Sequence, residues 1–161
     1  MTEMNTAPQL APQERCTGCA ACCNGCPKGA IRMVPAREGF LYPQVTDGCV
    51  QCGHCTHICP VLKQREPRTE PAAFIVWNGD EAVRRNSTAG GAFSALAEYV
   101  LEGGGVVFGA ALDNDLRVSH IAGKNRHDLP QLRGSKPVQS DVGESYQQGR
   151  LYLDQGRQVL F

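Results

Sequence analysis

Two cysteine runs in this chain share one spacing. Cys16, Cys19, Cys22 and Cys26 are followed by Pro27, and Cys49, Cys52, Cys55 and Cys59 are followed by Pro60. Both read C-x2-C-x2-C-x3-C-P, the spacing of a chain that ligates 4Fe-4S clusters. A cubane cluster takes four thiolates at tetrahedrally disposed corners. Three cysteines two residues apart wrap one short loop around three irons, and the loop's N–H groups point at the sulfurs and offset the cluster's negative charge. The fourth cysteine cannot come from the same tight loop, and in two-cluster chains it ligates the other cluster. The expected ligand sets are therefore Cys16, Cys19, Cys22 with Cys59, and Cys49, Cys52, Cys55 with Cys26. Pro27 and Pro60 fix the backbone just past the fourth ligand and remove an N–H there. Two such sites imply single-electron transfer.

Three other chemistries compete for these residues. Zinc takes paired C-x2-C units, but each run supplies a third and a fourth cysteine at cluster spacing. A disulfide framework suits neither the odd count of nine cysteines nor the lack of a secretory leader pattern. A Rieske centre would use His54 and His57, yet four cysteines per run leave no ligand position for them. These histidines are expected to be solvent-facing loop residues. Cys23, the ninth cysteine, is read as a spare buried thiol, with substitution for Cys22 as the alternative.

The elements that must position these residues fall into two modules, an α+β arrangement. A bacterial dicluster ferredoxin-like module is expected over residues 14–62, a linker over 63–71 (KQREPRTEP), and a truncated α/β module over 72–161. Between the cysteine runs, residues 31–34 and 40–42 are predicted to pair as a hairpin. In the second module, residues 72–77 and 106–112 read as buried strands. Apolar residues at Phe93, Leu96, Ala97, Val100 and Leu101 recur at helical spacing, and Gly103 to Gly105 end that helix. A partner strand is expected near Leu116, Val118 and Ile121. A helical turn or two is expected over 127–133, an extended segment over 137–142, a helix over 144–155 and a strand over 157–161. A chain stopping on Val159, Leu160 and Phe161, in mid-strand, is expected to be a fragment of something longer.

Composition limits the partners. The 161 residues carry 16 Lys plus Arg and 16 Asp plus Glu, so nothing argues for nucleic acid or an anionic membrane. The longest apolar stretch, Val106–Leu112, is too short to span a bilayer. Residues 1–13 are polar and proline-bearing, lack the apolar core of a leader, and read as a flexible tail. Cytoplasmic residence fits these features.

Ser87-Thr88-Ala89-Gly90-Gly91 lies between a predicted strand and a helix. It is either a simple N-cap, with Ser87 or Thr88 capping the helix, or an anion site at the helix start. The residues alone favour the N-cap, because no Walker or G-x-G-x-x-G pattern is present. His120 and His127 have no ligand partners at useful spacing and read as packing or surface residues.

In order along the chain stand the cysteine pair, Trp77-Asn78, the segment from Arg85 through Ser87-Thr-Ala-Gly90-Gly91 to Val100, the Gly104-Gly-Val-Val-Phe-Gly109 segment, and Leu132-Arg133-Gly134-Ser135-Lys136. In this order and in these motifs the chain resembles the coenzyme F-420 hydrogenase/dehydrogenase beta-subunit family. The resemblance implies a flavin-containing module that passes electrons between iron–sulfur clusters and a bound substrate, with FAD as the flavin. In the hydrogenase members that substrate is the deazaflavin coenzyme F-420. Ser87, Thr88, Gly90 and Gly91 would lie at the flavin phosphates, and Lys136 would contact flavin or substrate. Ala89 stands where family members often have a third serine. The family also continues past the Val-Leu-Phe strand into a long C-terminal domain, so the resemblance assigns no catalytic residue here. The implied partner is a redox protein or subunit. The alternative is a stand-alone dicluster ferredoxin-type carrier whose second module only docks partners.

Overall fold

The computed structural model describes residues 8–63 and 72–161. The chain divides into two units, Met1–Glu70 and Pro71–Phe161. The linker expected over 63–71 lies, apart from Lys63, outside the described residues.

In the first unit each cysteine loop runs into a short helix, α1 (Ala21–Asn24) after the first and α2 (His54–Ile58) after the second. The two loops bend alike. Gly18 (φ 64°) and Ala20 (φ 58°) are left-handed in the first, and Gln51 (φ 56°) and Gly53 (φ 71°) occupy the same two positions in the second. Left-handed residues set among right-handed ones turn successive N–H groups toward a common centre. Between the loops lies the expected hairpin, β1 (Ile31–Pro35) paired antiparallel with β2 (Leu41–Val45), in register from Ile31 opposite Val45 to Pro35 opposite Leu41. Among the described residues of this unit, the buried hydrophobic ones are Ala20, Ala30, Ile31 and Cys55. Four small or medium side chains are too little apolar interior to stabilise a domain alone.

The second unit opens with an extended segment and α3 (Glu81–Arg85), a helix that the sequence reading missed. Its start is fixed by Asp80, whose carboxylate accepts from the N–H of Ala82 at 2.7 Å and of Val83 at 3.3 Å. Next come α4 (Ala92–Glu102), β3 (Val106–Leu112) and β4 (Val118–Gly123). A 3-10 turn at Arg126–Asp128 leads into α5 (Leu129–Leu132), and α6 (Ser145–Asp154) and β5 (Val159–Leu160) follow. The sheet order is β4-β3-β5, antiparallel to β4 and parallel to β5. Side chains alternate along β3. Val107 and Ala111 pack on Ala97 of α4 and on Leu129 and Leu132 of α5. Phe108 lies 6.4 Å from the Tyr152 ring of α6 and 5.3 Å from that of Phe161. The sheet is thus covered on both faces, the α/β layering that the sequence predicts.

The strand expected over 72–77 is not formed. Phe74, Ile75, Val76 and Trp77 are exposed, and this stretch has no ladder partner among the described residues. Apolar content marks a segment for burial, but a strand needs a neighbour for its N–H and C=O groups. The chain regains a backbone bond at Asn78, whose N–H donates to Gly90 O at 2.6 Å. Residues 137–142 contribute one parallel bridge, Ser119 to Asp141. Leu116 sits exposed in the β3–β4 turn, ahead of the strand it was expected to join. Among the described residues, no helix is long and apolar enough to cross a membrane.

The link from α4 to β3 depends on the missing side chain of Gly105. A Cβ there would meet Val100 Cγ1 at 2.5 Å, Val100 O at 2.7 Å and Gln158 O at 2.8 Å, and two of these are backbone atoms held in hydrogen bonds. A Cβ on Gly149 of α6 would meet Phe108 and Val159 only at 3.8 Å. Gly105→Ala should therefore destabilise the chain by about 1–3 kcal/mol. Gly149→Ala should be neutral or stabilising by up to about 1 kcal/mol through helix propensity. Urea unfolding followed by far-ultraviolet circular dichroism reads both, and equal midpoints for the two variants would contradict this packing.

Candidate functional site: two cysteine-lined cavities and a glycine-rich cleft

The first unit holds two small cavities of equal volume, about 20 Å³ each. Cys16, Cys19, Cys22 and Cys59 line the first. Cys26, Cys49, Cys52 and Cys55 line the second. Each cavity is therefore lined by three cysteines from one run and the last cysteine of the other. The short helices explain the exchange. Cys22 lies on α1 and Cys55 on α2, facing their own loops' cavities. The chain then leaves each helix, at Gly25 and at the extended Cys59, and carries the fourth cysteine across.

This geometry suits a cluster better than a single ion. Among the described residues no group of three or more His, Cys, Asp or Glu side chains is close enough to hold one metal ion. The cysteines instead ring two spaces, as a body with four corners needs. Backbone donors reach the sulfurs as well. The Ala30 N–H donates to Cys26 Sγ at 3.3 Å and the Gln51 N–H to Cys49 Sγ at 3.4 Å. Burial pushes the Cys22 thiol up to about 12, and nearby Cys19, Cys16 and Cys23 push the same way against the Cys23 N–H, which lowers it. A thiol so shifted stays protonated at neutral pH, so a metal bound by Cys22 would displace a proton.

Cys23 lines neither cavity, is half-buried rather than buried, and donates its thiol to Ile31 O at 3.0 Å. His54 and His57 are exposed as expected, though on α2 and not in a loop. Sequence reasoning missed the cavity walls. Pro8, Leu10 and Ala11, assigned to a flexible tail, border the cavities, as do Lys28, Met33 and Pro43. The available signal was Leu10, the one leucine of a polar stretch, six residues before Cys16.

In the second unit Ser87, Thr88, Gly90 and Gly91 line a solvent-open cleft of about 510 Å³, within the range for small-molecule sites. Neither Ser87 nor Thr88 caps α4. The N-cap is Gly91 (φ 80°), which has no side chain to give, and Ser87 Oγ donates instead to Val83 O at 2.8 Å. The first N–H groups of α4 are thus left without a capping side chain. Lys136 does not line this cleft. Its ammonium donates to Gln131 O at 3.2 Å and Arg133 O at 2.6 Å at the end of α5, and burial lowers its pKa. The one charged side chain on the cleft wall, among the described residues, is Arg133. Its Nε donates at 2.9 Å to Oγ of Ser94, which is 1% exposed. Arg133 was within the quoted Leu-Arg-Gly-Ser-Lys segment but was passed over for Lys136. His120 packs as expected, stacked on Phe161 at 5.4 Å with Nδ1 2.8 Å from Ser140 Oγ, and burial lowers its pKa.

Comparison with known proteins bears on the first unit. Residues 10–64 match the 4Fe-4S dicluster domain family. Among curated proteins, an uncharacterized polyferredoxin-like protein of Methanocaldococcus jannaschii is 32% identical over 64 residues, covering 34% of this chain and 38% of that protein. An uncharacterized ferredoxin of the same organism is 31% identical over 51 residues, covering 32% of this chain and 66% of that protein. The matches thus span 38% and 66% of the relatives' own lengths. Residues 10–64 are a 4Fe-4S dicluster ferredoxin domain, a unit that binds iron–sulfur clusters and transfers electrons.

Proposed function

We propose that this chain is the electron-transferring part of a flavin/iron–sulfur oxidoreductase subunit of the kind represented by the coenzyme F-420 hydrogenase/dehydrogenase beta subunits. The observation that carries the electron-transfer reading is the exchange of Cys26 and Cys59 between two equal cysteine-ringed cavities. Cys16, Cys19, Cys22 and Cys59 hold one cluster, and Cys26, Cys49, Cys52 and Cys55 hold the other. The flavin part of the reading is supported by the cleft in which Ser87, Thr88, Gly90 and Gly91 meet the uncapped start of α4 and the guanidinium of Arg133. That chemistry suits the pyrophosphate of FAD. Bound there, a flavin would supply the step between single electrons and hydride. The residues' own work is to bind and orient it. Arg133 and the α4 N–H groups face the anion, and Lys136 holds the Arg133 backbone in place. Iron–sulfur clusters also favour a reducing compartment, which supports a cytoplasmic location.

A second reading is favoured by the relatives, a ferredoxin and a polyferredoxin-like protein. In it the chain is a dicluster carrier and the second unit only docks partners. Anaerobic purification with iron, sulfide and flavin measured on one sample separates the two. About eight irons per chain, the content of two cubanes, with stoichiometric FAD supports the subunit reading. About eight irons with no FAD uptake supports the carrier. Zinc in place of iron overturns both.

The crossed ligand sets make a pairwise prediction. Cys16→Ala and Cys59→Ala should each cut iron to about four per chain, and so should the double variant, because both residues serve one site. Cys16→Ala combined with Cys26→Ala should abolish both clusters. If that second double variant keeps about four irons, each run ligates its own cluster.

Arg133 gives the flavin reading its own check. Removing one charge-assisted contact to phosphate costs about 1.5–3 kcal/mol. Arg133→Gln should therefore weaken FAD binding at least about tenfold, read by quenching of flavin fluorescence. Riboflavin, which has no phosphate, should bind both proteins alike. Equal FAD affinity would remove Arg133 from the site.

A further inference from the structure

The two cavities match in cysteines and differ in their walls. The Cys16–Cys19–Cys22–Cys59 cavity is closed by Leu10, Ala11, Met33, Pro43 and Val61, and none of its lining residues is charged. The chain before Cys16 is pinned over it. The Arg15 and Cys16 N–H groups both donate to Pro12 O at 2.9 Å, and Thr56 Oγ1 donates to Gln9 O at 2.9 Å. The other cavity is walled by apolar side chains as well, Pro8, Ile31 and Val50 among them, but one of its ligands reaches the surface. Cys52 is exposed, whereas the other seven expected ligands are half-buried or buried. Exposed Lys28 and His54 stand at its rim, and Lys28 is the one fixed charge lining either cavity among the described residues.

These differences act on one quantity. Taking up an electron makes a cluster site more negative, and its potential depends on local charge, hydrogen bonds to sulfur and solvent exposure. Water at Cys52 and the ammonium of Lys28 stabilise the added charge. The Cys16–Cys19–Cys22–Cys59 site has neither an exposed ligand cysteine nor a charged lining residue, so the same electron is harder to place there. A partner also approaches most closely where the ligand cysteine is itself at the surface.

Resting on the two-cluster reading of these cysteines, we infer that the Cys26–Cys49–Cys52–Cys55 site is the unit's electron-exchange face and the higher in potential. Leu10 and Ala11 make the Cys16–Cys19–Cys22–Cys59 site an inner, lower-potential one. The partner that fits the face is a one-electron redox protein that reaches the edge around Cys52, giving or taking one electron per encounter. Lys28 is a tuning residue and Leu10 a seal, and neither is a ligand.

The test is an anaerobic redox titration of the full chain followed by electron paramagnetic resonance, with Lys28→Gln and Leu10→Gln beside the parent. The parent should show two separate midpoints. Lys28→Gln should lower the upper midpoint and leave the lower one in place. Leu10→Gln should raise the lower midpoint and leave the upper one in place. Coincident parent midpoints overturn the inference, as does a Lys28→Gln shift confined to the lower midpoint or shared equally by both. Iron is counted on the same samples. A parent with about four irons, or with zinc, overturns the two-cluster reading itself and the inference with it, and so separates that failure from the others.

Discussion

Ala20, Ala30, Ile31 and Cys55 are the buried hydrophobic residues among those described in the cluster-binding unit, and burying them stabilises a fold of some fifty residues by only a few kcal/mol. Ordering such a chain costs far more than that. On the proposed ligation, bonds from thiolate to iron would supply the difference, and the exchange of Cys26 and Cys59 would decide how. If each run closed on its own cluster, the unit would be two independently ligated loops joined by a hairpin. With the last cysteine of each run in the other's cavity, neither site can be completed without bringing residues 16–26 against residues 49–59. Cluster binding and folding are then one event, as in other small metal-dependent domains. The β1–β2 hairpin, with its polar Arg32–Gln44 pair at 3.0 Å, serves as a spacer between the loops and adds little core.

The second unit is stabilised differently. Its central strand β3 buries Val106, Val107 and Phe108, with helices on both faces. Leu132 shows how closely the cleft is tied to that interior. It packs under Gly109 and Gly123 of the sheet, where an added Cβ would come within 3.3 Å and 3.0 Å of it, and it precedes Arg133 directly. The guanidinium on the cleft wall is thus placed by the core beneath it and aimed by the buried hydroxyl of Ser94. The Nε donor is used on Ser94, and a guanidinium carries four further donors with which to meet an anion or water.

The cysteines were legible because cluster ligation constrains residue type and spacing together, and no side chain substitutes for a thiolate. Helices α4 and α6 and the β1–β2 hairpin were legible from periodicity and turn residues. Other features depended on partners that spacing does not reveal. Residues 72–77 have strand composition, yet no neighbour pairs with them among the described residues. The N-cap of α4 falls three residues after Thr88 and four after Ser87, at Gly91, which takes up the left-handed conformation. Lys136 and Arg133 lie three residues apart in one segment, and only the path of the chain after α5 decides which of the two faces the cleft. Leu10 was lost because a polar stretch before the first ligand reads as a tail until a cavity is found beneath it.

The two cysteine loops repeat each other in backbone but not in sequence, and the differences say what holds them. Each needs a left-handed residue two positions after its first cysteine and another just after its second. The first loop places glycine at the former and Ala20 at the latter, and the second places Gln51 and then glycine. Left-handed alanine and glutamine each cost roughly 1–2 kcal/mol over the right-handed form. Neither is relieved by the local sequence, since each loop has only one glycine to give. The conformation must therefore be imposed from outside the loop, by the inward N–H groups and by sulfurs fixed to a common centre. This strain opposes the folded loop when the thiols are protonated, as burial favours at Cys22, and is overridden when they bind metal. The unit's backbone is thus shaped for the loaded state, and its least favourable residues lie beside the ligands that only a cluster can draw together.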